Sequence, residues 1–262
     1  MSLQDHKKRI LVALIFIPLL FLIIIKLPAY IFFILLCMAN TVGMWEFLRM
    51  YRASRFWIIT GIISSLFLLI LNCFYSHNAF FYFAIIFSVI AVMRLVFKKD
   101  PKFALQDISQ IYTGLLYIPT LLTFQWLLRN SGWQWIIYLY GCVWVADSFA
   151  YYIGKGFGKR KLYPEVSPKK TWAGAYGSVS GGIIASLILG NIILSKPFIS
   201  LAIMGFLIGT VSIFGDLVES MFKRDAGVKD SGFLFPGHGG ILDKIDAILF
   251  SGVLLYFGMN FM

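Results

Sequence analysis

The sequence predicts an all-α, polytopic integral membrane protein with about nine transmembrane helices. Of its 262 residues, 60% are hydrophobic and 13% are charged, whereas soluble domains are about 45–50% apolar. The apolar residues are grouped in stretches of about 17–25, the length that a helix needs to cross the hydrocarbon core of a bilayer. This composition excludes a soluble globular enzyme. It also excludes a disordered chain, because hardly any segment is polar enough.

Nine apolar stretches, separated by short polar breaks, are the predicted spans. They run near residues 10–26, 29–48, 56–74, 79–97, 108–128, 133–153, 173–194, 198–221 and 241–260. The first stretch follows a basic segment, as in a signal peptide, but no cleavage site of small residues comes after it, so we expect it to be retained. Five spans lie within residues 1–130 and four within residues 131–262, where the connections 154–172 and 222–240 are longer than a turn requires.

The basic residues set the predicted orientation, because Lys and Arg are biased to cytoplasmic loops. With the N-terminus in the cytoplasm and nine alternating spans, the C-terminus lies outside. All 23 Lys and Arg residues then fall in cytoplasmic segments except Lys26, Arg129 and Lys196, which are outside, and Lys244, at the start of the ninth span. The two longer connections are both cytoplasmic in this arrangement. Any chemistry is therefore predicted on the cytoplasmic face.

Six of the twelve acidic residues lie within residues 216–246. A carboxylate in the hydrocarbon layer costs several kcal/mol unless it is paired, hydrated or bound to a cation. Snorkelling to the interface explains one charge near the end of a span, but not six in one window. On a helix, Asp216, Glu219 and Ser220 share a face, with Lys223 one turn further along. This spacing predicts a polar site within the apolar chain.

Carboxylate oxygens are ligands for a hard divalent cation such as Mg²⁺, which keeps open positions for phosphate. We predict Mg²⁺ as the cofactor, with Asp216 and Asp243 as its first ligands, and a second cation is compatible with the same set. Asp246 shares a helix face with Asp243. Its role has three alternatives: it is a metal ligand, a partner that supports the ligands, or the ion-pair partner of Lys244.

A glycine-rich segment, Pro236-Gly237-His238-Gly239-Gly240, precedes the ninth span. Glycines let the backbone approach a ligand closely, and the free N–H groups at the start of a helix form an anion site. Gly239 and Gly240 are therefore candidate phosphate contacts, although the same residues also serve in a tight turn. His238 is either a general acid or phosphate donor, or a turn histidine bonded to the backbone.

The other long connection contains the string Ser167-Pro168-Lys169-Lys170-Thr171. Hydroxyl and ammonium donors at this density suit a polyphosphate. Asp147, at the inner half of the sixth span, is a further candidate for a polar cavity. The basic residues from Lys155 to Lys161 are interpreted as part of the positive belt that faces lipid headgroups.

Residues 220–246 combine, at fixed spacing, Ser220, Lys223-Arg224, Lys229-Asp230, the Pro236 to Gly240 string, and the closing aspartates Asp243 and Asp246. This pattern resembles the signature of the phosphatidate cytidylyltransferases, also called CDP-diacylglycerol synthases. The Ser167 to Thr171 string and residues 147–158 resemble the family's other cytoplasmic segment, so the likeness covers roughly the C-terminal half. Two residues depart from the family pattern: Lys244 stands where Arg is usual, and Ala173 stands where Glu is usual.

The resemblance implies transfer of a cytidylyl group from CTP to phosphatidate, which gives CDP-diacylglycerol and pyrophosphate in phospholipid biosynthesis. It also implies dependence on Mg²⁺, an active site on the cytoplasmic side, and a location in the cytoplasmic membrane of a bacterium. The expected partners are CTP, phosphatidate and membrane lipids, with no nucleic acid. The glycine-rich spans are compatible with a homodimer.

The resemblance assigns roles to the residues above, in a catalytic region that comprises residues 131–262. The metal ligands are Asp216 and Asp243, with Asp246 assisting. Lys223, Arg224 and Ser220 contact the reacting phosphates and complete the catalytic set. Substrate binding is assigned to Ser167, Lys169, Lys170, Thr171, Lys229, Asp230, His238, Gly239, Gly240 and Asp147.

Two alternatives come from other classes of protein. A polytopic ion transporter also uses intramembrane acids, but it predicts internal repeats and charges near the middle of the bilayer, whereas these acids cluster at one face. A catalytically silent relative that acts as a membrane scaffold is favoured only by Ala173. A lipid enzyme that uses a CDP-alcohol is disfavoured, because that family's Asp-Gly-x-x-Ala-Arg string is absent from the sequence.

Overall fold

The computed structural model of the protein describes residues 18–234 and 239–262. This part of the chain contains ten α-helices and a two-stranded β-hairpin. The helices are α1 (18–25), α2 (Ala29–Met50), α3 (Arg55–Phe74), α4 (Ala79–Lys98), α5 (Ala104–Tyr117), α6 (Pro119–Ser131), α7 (Trp133–Phe157), α8 (Trp172–Leu189), α9 (Phe198–Asp225) and α10 (Leu242–Gly258). The hairpin, β1 (Lys161–Tyr163) and β2 (Ser167–Thr171), lies between α7 and α8. The first half of the predicted span near 10–26 lies outside the described residues.

Seven helical segments of the described chain are long and apolar enough to cross a membrane. They are Ala29–Met50, Arg55–Phe74, Ala79–Lys98, Ala104–Ser131, Trp133–Phe157, Trp172–Leu194 and Phe198–Asp225. These segments confirm the prediction of an all-α, polytopic integral membrane protein. The shorter α10 has 17 residues, which corresponds to about 26 Å at 1.5 Å per residue, against a hydrocarbon core of about 30 Å. The total of nine spans stays a prediction.

The span predicted near 108–128 is not one continuous helix but two, α5 and α6, which meet at Ile118. Pro119 is the reason, since it has no N–H and its ring clashes with the carbonyl four residues earlier. That carbonyl belongs to Leu115, and it accepts a hydrogen bond from the Thr120 hydroxyl instead (2.8 Å). The two helices together still form one apolar segment of 28 residues.

The connection predicted as a cytoplasmic loop at 154–172 is largely structured. Helix α7 continues to Phe157, and the antiparallel hairpin follows, with Lys161 opposite Thr171. The all-α prediction misses this small sheet, because strands of three and five residues are too short to show a period-two pattern in the sequence. Strand β2 leads directly into α8, so the hairpin holds the start of that helix.

Helix α8 packs between α7 and α9, and its small residues let the helix backbones approach closely. A Cβ atom on Gly182 would lie 2.5 Å from the carbonyl oxygen of Gly205 on α9. Across the same interface, the Ser178 hydroxyl donates a hydrogen bond to the carbonyl oxygen of Gly209 (2.8 Å). Helix α10 packs in turn against α9. These four helices form the packed unit that carries most of the polar residues.

The N-terminal and C-terminal helices share one apolar core. Its fully buried members include Met44 on α2, Leu115 on α5, Tyr138 on α7 and Leu242 on α10. Helix α2 therefore lies against the first turn of α10, although the two segments are almost 200 residues apart in the sequence.

The polar connections of the C-terminal half meet the turn between α2 and α3 at one end of the bundle. Tyr51, in that turn, donates a hydrogen bond to Asp225 at the end of α9 (2.9 Å). Burial, and then the Asp225 carboxylate, raise the pKa of the Tyr51 phenol, so it is a neutral donor at physiological pH. Arg224 donates a hydrogen bond to the backbone carbonyl of Val166 in the hairpin (3.2 Å). One end of the molecule thus gathers three polar connections.

Candidate active site

A cavity of about 640 Å³ lies between α7, the hairpin, α8 and α9. Its polar wall consists of Asp147, Lys155, Lys161, Lys169, Lys170, Thr171, Ser178, Ser212 and Asp216. A cavity of this size holds a ligand of nucleotide dimensions, since small-molecule sites measure roughly 300–1,000 Å³. Four lysines beside hydroxyl donors are the side chains that bind phosphate groups. The cavity is therefore suited to a phosphorylated ligand.

Asp216 and Lys170 form an ion pair in the wall of this cavity. The Lys170 Nζ atom lies 2.8 Å from Asp216 Oδ2 and also donates to the carbonyl oxygen of Ile213 (3.3 Å). The Ser220 hydroxyl donates a hydrogen bond to Asp216 Oδ1 (3.2 Å), in agreement with their predicted position on one face of the helix. The Asp216 side chain is 43% exposed, so a ligand in the cavity can reach its carboxylate.

Three carboxylates lie close to one another near this ion pair. Asp147 and Asp216 line the cavity, and Asp246 is buried on the neighbouring helix α10. Each of the three repels the other two electrostatically. Asp246 accepts a hydrogen bond from the N–H of Ala247 (2.8 Å). A cation bound beside them would relieve this repulsion.

A second polar cluster lies further along α9, at the start of α10. Lys223 contacts Glu219 on its own helix, and its Nζ atom lies 2.5 Å from Asp243 Oδ1. The other oxygen, Asp243 Oδ2, accepts hydrogen bonds from Ser231 N (3.0 Å), Ser231 Oγ (2.7 Å) and Gly240 N (2.8 Å). The three charged side chains are only 9%, 1% and 12% exposed. Water therefore hydrates these charges little. They are compensated by one another and by hydrogen bonds from the backbone.

Most of the predicted site residues come together in these two places. The cavity wall includes Asp147, Lys169, Lys170, Thr171 and Asp216, and the second cluster includes Lys223, Gly240 and Asp243. Thr171 uses its hydroxyl to cap α8, where it accepts a hydrogen bond from Gly174 N (3.1 Å). Gly239 has a positive φ of 81°, and a Cβ atom there would lie 2.3 Å from Asp243 Oδ2. The predicted phosphate contacts of Gly239 and Gly240 stay predictions.

The remaining predicted residues lie elsewhere. The guanidinium group of Arg224 donates to two backbone carbonyls, one in the hairpin (3.2 Å) and one after α9 (2.9 Å). Ser167 lies at the start of β2 and is not part of the cavity wall. Lys229 and Asp230 are exposed on the segment after α9. His238 lies outside the described residues.

Several residues of these two places were not assigned to the site from the sequence. Lys155 and Lys161, interpreted as part of the lipid-facing belt, line the cavity. Glu46 and Ser231 belong to the second cluster, since the Ser231 hydroxyl lies 3.1 Å from Glu46 Oε2. A carboxylate within an apolar span was the available signal for Glu46. No signal marked Lys161, because only the folded hairpin shows which way its side chain points.

The donor set of the cavity suits Mg²⁺, which prefers oxygen ligands and is commonly held by one or two carboxylates together with substrate phosphates. Asp147 and Asp216 in the cavity wall supply such oxygens, and Asp246 lies buried on the neighbouring helix. Within residues 18–234 and 239–262, no group of three or more His, Cys, Asp or Glu side chains is arranged to hold a metal by itself. Substrate phosphates and water would therefore complete the coordination.

The fold and the cavity define a class of protein: a polytopic membrane protein with a site of lysines and carboxylates suited to a phosphorylated ligand. Comparison of the sequence with known families makes the assignment specific. The sequence model of the cytidylyltransferase family matches residues 7–262. The chain belongs to this family.

Individual relatives agree with this assignment. A phosphatidate cytidylyltransferase of Bacillus subtilis is 35% identical to this chain, over 97% of the chain and 97% of the relative. One from Synechocystis is 49% identical over 46% of the chain and 41% of the relative. The chloroplastic phosphatidate cytidylyltransferase 4 of Arabidopsis thaliana is 41% identical over 64% of the chain and 49% of the relative. The resemblance found in the signature is thus confirmed, and it extends beyond the C-terminal half.

Proposed function

We propose that the protein transfers the cytidylyl group of CTP to phosphatidate, which yields CDP-diacylglycerol and pyrophosphate for phospholipid biosynthesis. The observation that carries this proposal is the cavity with four lysines in its wall, one of which, Lys170, forms an ion pair with Asp216. It occurs in a chain that aligns with a phosphatidate cytidylyltransferase over nearly its whole length. The lysines of the cavity provide positive charge for a nucleoside triphosphate, and the apolar helices around the cavity provide access for a lipid.

The proposed reaction depends on positioning more than on a strong base, because the phosphate of phosphatidate is already an anion. One of its oxygens attacks the α-phosphorus of CTP and forms a new P–O bond. The bond from the α-phosphorus to the bridging oxygen breaks, and pyrophosphate leaves with the electron pair. The site must bring two anions together and neutralise the leaving group. We assign this task to the lysines of the cavity wall, Lys155, Lys161, Lys169 and Lys170.

Mg²⁺ is the proposed cofactor, with Asp216 and Asp147 as the residues that would hold it and Asp246 beside them. When bound, it supplies positive charge to the phosphates of CTP. Asp243, predicted from the sequence as the other ligand, contacts Lys223 through Oδ1 and three donors through Oδ2. A metal role for Asp243 and a second cation both stay predictions.

We propose nine spans, with the N-terminus and the mouth of the cavity on the cytoplasmic side of a bacterial inner membrane. Bacterial relatives and the charge asymmetry of the two ends support this arrangement. The end opposite the cavity holds two of the predicted outside residues: Arg129 donates to the carbonyl of Leu27 (3.3 Å), and Lys196 lies over the ring of Trp135 (5.7 Å).

A homodimer is a separate proposal. The glycine-rich spans suggest it, but in the structure the glycines of α8 contact α7 and α9 of the same chain. Contacts between two copies would therefore come from other apolar surfaces. Light scattering of the protein in detergent measures the mass that decides this proposal.

The test of the proposed function is radiolabel transfer from the α-phosphate of CTP to phosphatidate, by purified protein in mixed micelles. We expect labelled CDP-diacylglycerol, and no product without Mg²⁺. Asp216→Asn should lower kcat by about 100-fold or more, because it removes charge from the reacting centre. The matched control is Asp225→Asn at the end of α9, which should stay within about threefold of wild type.

Two results would contradict this proposal. Folded protein that binds CTP but forms no product would favour the silent scaffold, and near-normal activity of Asp216→Asn would remove that residue from the site. Neither the scaffold nor the ion transporter gains support from the fold or from the comparisons. The relatives reported above all carry the name of the enzyme.

A further inference from the structure

We infer that Glu46 is a positioning residue that fixes the first turn of α10, and with it Asp243, for the transfer reaction. The inference rests on the proposed function. It concerns a residue in the N-terminal half, outside the signature, that does not line the cavity. Glu46 is fully buried on α2, with 0% of its surface exposed.

Glu46 accepts hydrogen bonds from the start of α10. Its Oε1 atom accepts from Ile241 N (3.0 Å), and its Oε2 atom accepts from Leu242 N (3.1 Å). The first N–H groups of a helix have no partner within the helix, and a negative charge at this end is stabilised by the helix dipole. Glu46 therefore caps α10 from another helix, in place of a capping side chain within α10 itself.

One hydroxyl group links Glu46 to Asp243. The Ser231 Oγ atom lies 2.7 Å from Asp243 Oδ2 and 3.1 Å from Glu46 Oε2, so its single proton is shared between two carboxylates. The backbone N–H of Gly240 donates to the same Asp243 oxygen (2.8 Å). Glu46 and Asp243 thus both accept hydrogen bonds from Ser231 and from the backbone at residues 240–242.

The glycines of this segment are explained by the position of the Glu46 carboxylate. A Cβ atom added to Gly232 would lie 2.4 Å from Glu46 Oε1. A Cβ atom added to Gly240 would lie 2.3 Å from both oxygens of the Glu46 carboxylate. Any other residue would displace the carboxylate at either position. The backbone at Gly232 and at Gly240 therefore lies directly against the Glu46 carboxylate.

Replacement of Glu46 by Gln keeps the size of the side chain but turns one acceptor into an NH₂ group. That group faces a backbone N–H or the Ser231 hydroxyl, so at least one hydrogen bond is lost. Asp243 is a metal ligand predicted from the sequence, and a shift of about 1 Å at a reacting centre costs up to roughly 100-fold in rate. Because Glu46 does not line the cavity, the affinity for CTP should change little. The expected signature is a loss of kcat with KM retained.

The first experiment measures steady-state kinetics in mixed micelles. Glu46→Gln should lower kcat by about 10- to 100-fold, with the KM for CTP within about twofold of wild type. Glu46→Asp keeps both acceptor oxygens and should recover part of kcat. The matched control is Asn40→Leu, which removes a buried polar side chain of the same helix that bonds to Ser65 (3.0 Å). It should leave kcat unchanged even if it lowers thermal stability.

The second experiment measures amide hydrogen exchange. Glu46→Gln should accelerate exchange at Ile241 and Leu242 and leave α7 and α8 unchanged. If Glu46→Gln does not yield monodisperse protein, Ser231→Ala takes its place, with faster exchange and lower kcat expected again. The inference is overturned if kcat stays within twofold of wild type, if Asn40→Leu lowers kcat equally, or if exchange is unchanged. Wild-type protein without product would refute the proposed function, and the exchange result would still decide whether Glu46 holds α10.

Discussion

At the scale of single residues, the charges of the second cluster depend on Lys223. It is the cation between Glu219 and Asp243, both of which are almost inaccessible to water. We predict that Lys223→Met destabilises the protein by about 3–5 kcal/mol, because removal of one partner leaves buried charges without compensation. Thermal unfolding in detergent measures this loss. Lys26→Met, an exposed lysine at the other end of the bundle, is the control, and equal melting temperatures for the two variants would refute the prediction.

Lys161 provides a second test at the residue scale, because sequence and structure disagree on its position. Its place in the cavity wall predicts that Lys161→Gln raises the KM for CTP by about three- to tenfold, the effect of one lost charge-assisted contact at a partly hydrated site. Lys159→Gln, an exposed neighbour outside the wall, should not change KM. The cavity assignment of Lys161 fails if both variants behave alike.

The residue types of the site were readable in the sequence, but their partners were not. The i, i+4 spacing predicted the Ser220–Asp216 hydrogen bond, because helix geometry alone determines that contact. The Lys223–Asp243 pair joins two helices, and the Ser231–Glu46 contact joins residues 185 positions apart. No local pattern encodes such pairs, so the sequence did not show which groups Glu46 contacts.

At the scale of elements, the close contact of α8 with α9 predicts a strong response to a larger side chain. Gly182→Val would place a methyl-bearing carbon 2.5 Å from the carbonyl of Gly205, and overpacking of this kind costs about 1–3 kcal/mol. Gly156→Ala is the matched control, since a Cβ atom there has no neighbour within 4 Å. Thermal unfolding should show destabilisation for the first variant, and no loss for the second. A stable Gly182→Val protein would show that the two helices can separate.

The elements were predicted well where apolar length decides and poorly where local chemistry decides. Four helices begin and end near their predicted limits, because the thickness of the bilayer determines the length of a span. They are α2, α3, α4 and α7. The proline at position 119 was visible within the predicted span. The span was recognised, however, from the mean apolarity of a long stretch, and a single proline hardly changes that mean. The β-hairpin was missed because it depends on pairing between Lys161 and Thr171, not on periodicity.

At the scale of the whole molecule, the proposed orientation can be tested by chemical labelling. In a background without native cysteines, Lys229→Cys should react with a membrane-impermeant maleimide only in inside-out vesicles. Lys196→Cys should react only in right-side-out vesicles, because the two positions lie at opposite ends of α9. Reaction of both from the same side would refute the nine-span arrangement.

The distance in sequence between α2 and its partners has a consequence for biosynthesis. The hydrogen bonds of Glu46 join residues 185, 195 and 196 positions apart. At about 5–20 residues per second, a ribosome needs roughly 10 to 40 seconds to make the amides and the hydroxyl that receive this carboxylate. During that interval α2 carries an acid without its native donors, and water or the insertion machinery must accommodate it. Assembly of this cluster therefore has to wait until α10 has been synthesised, and a ribosome that stops before α10 leaves α2 with an unsatisfied charge for quality control to recognise.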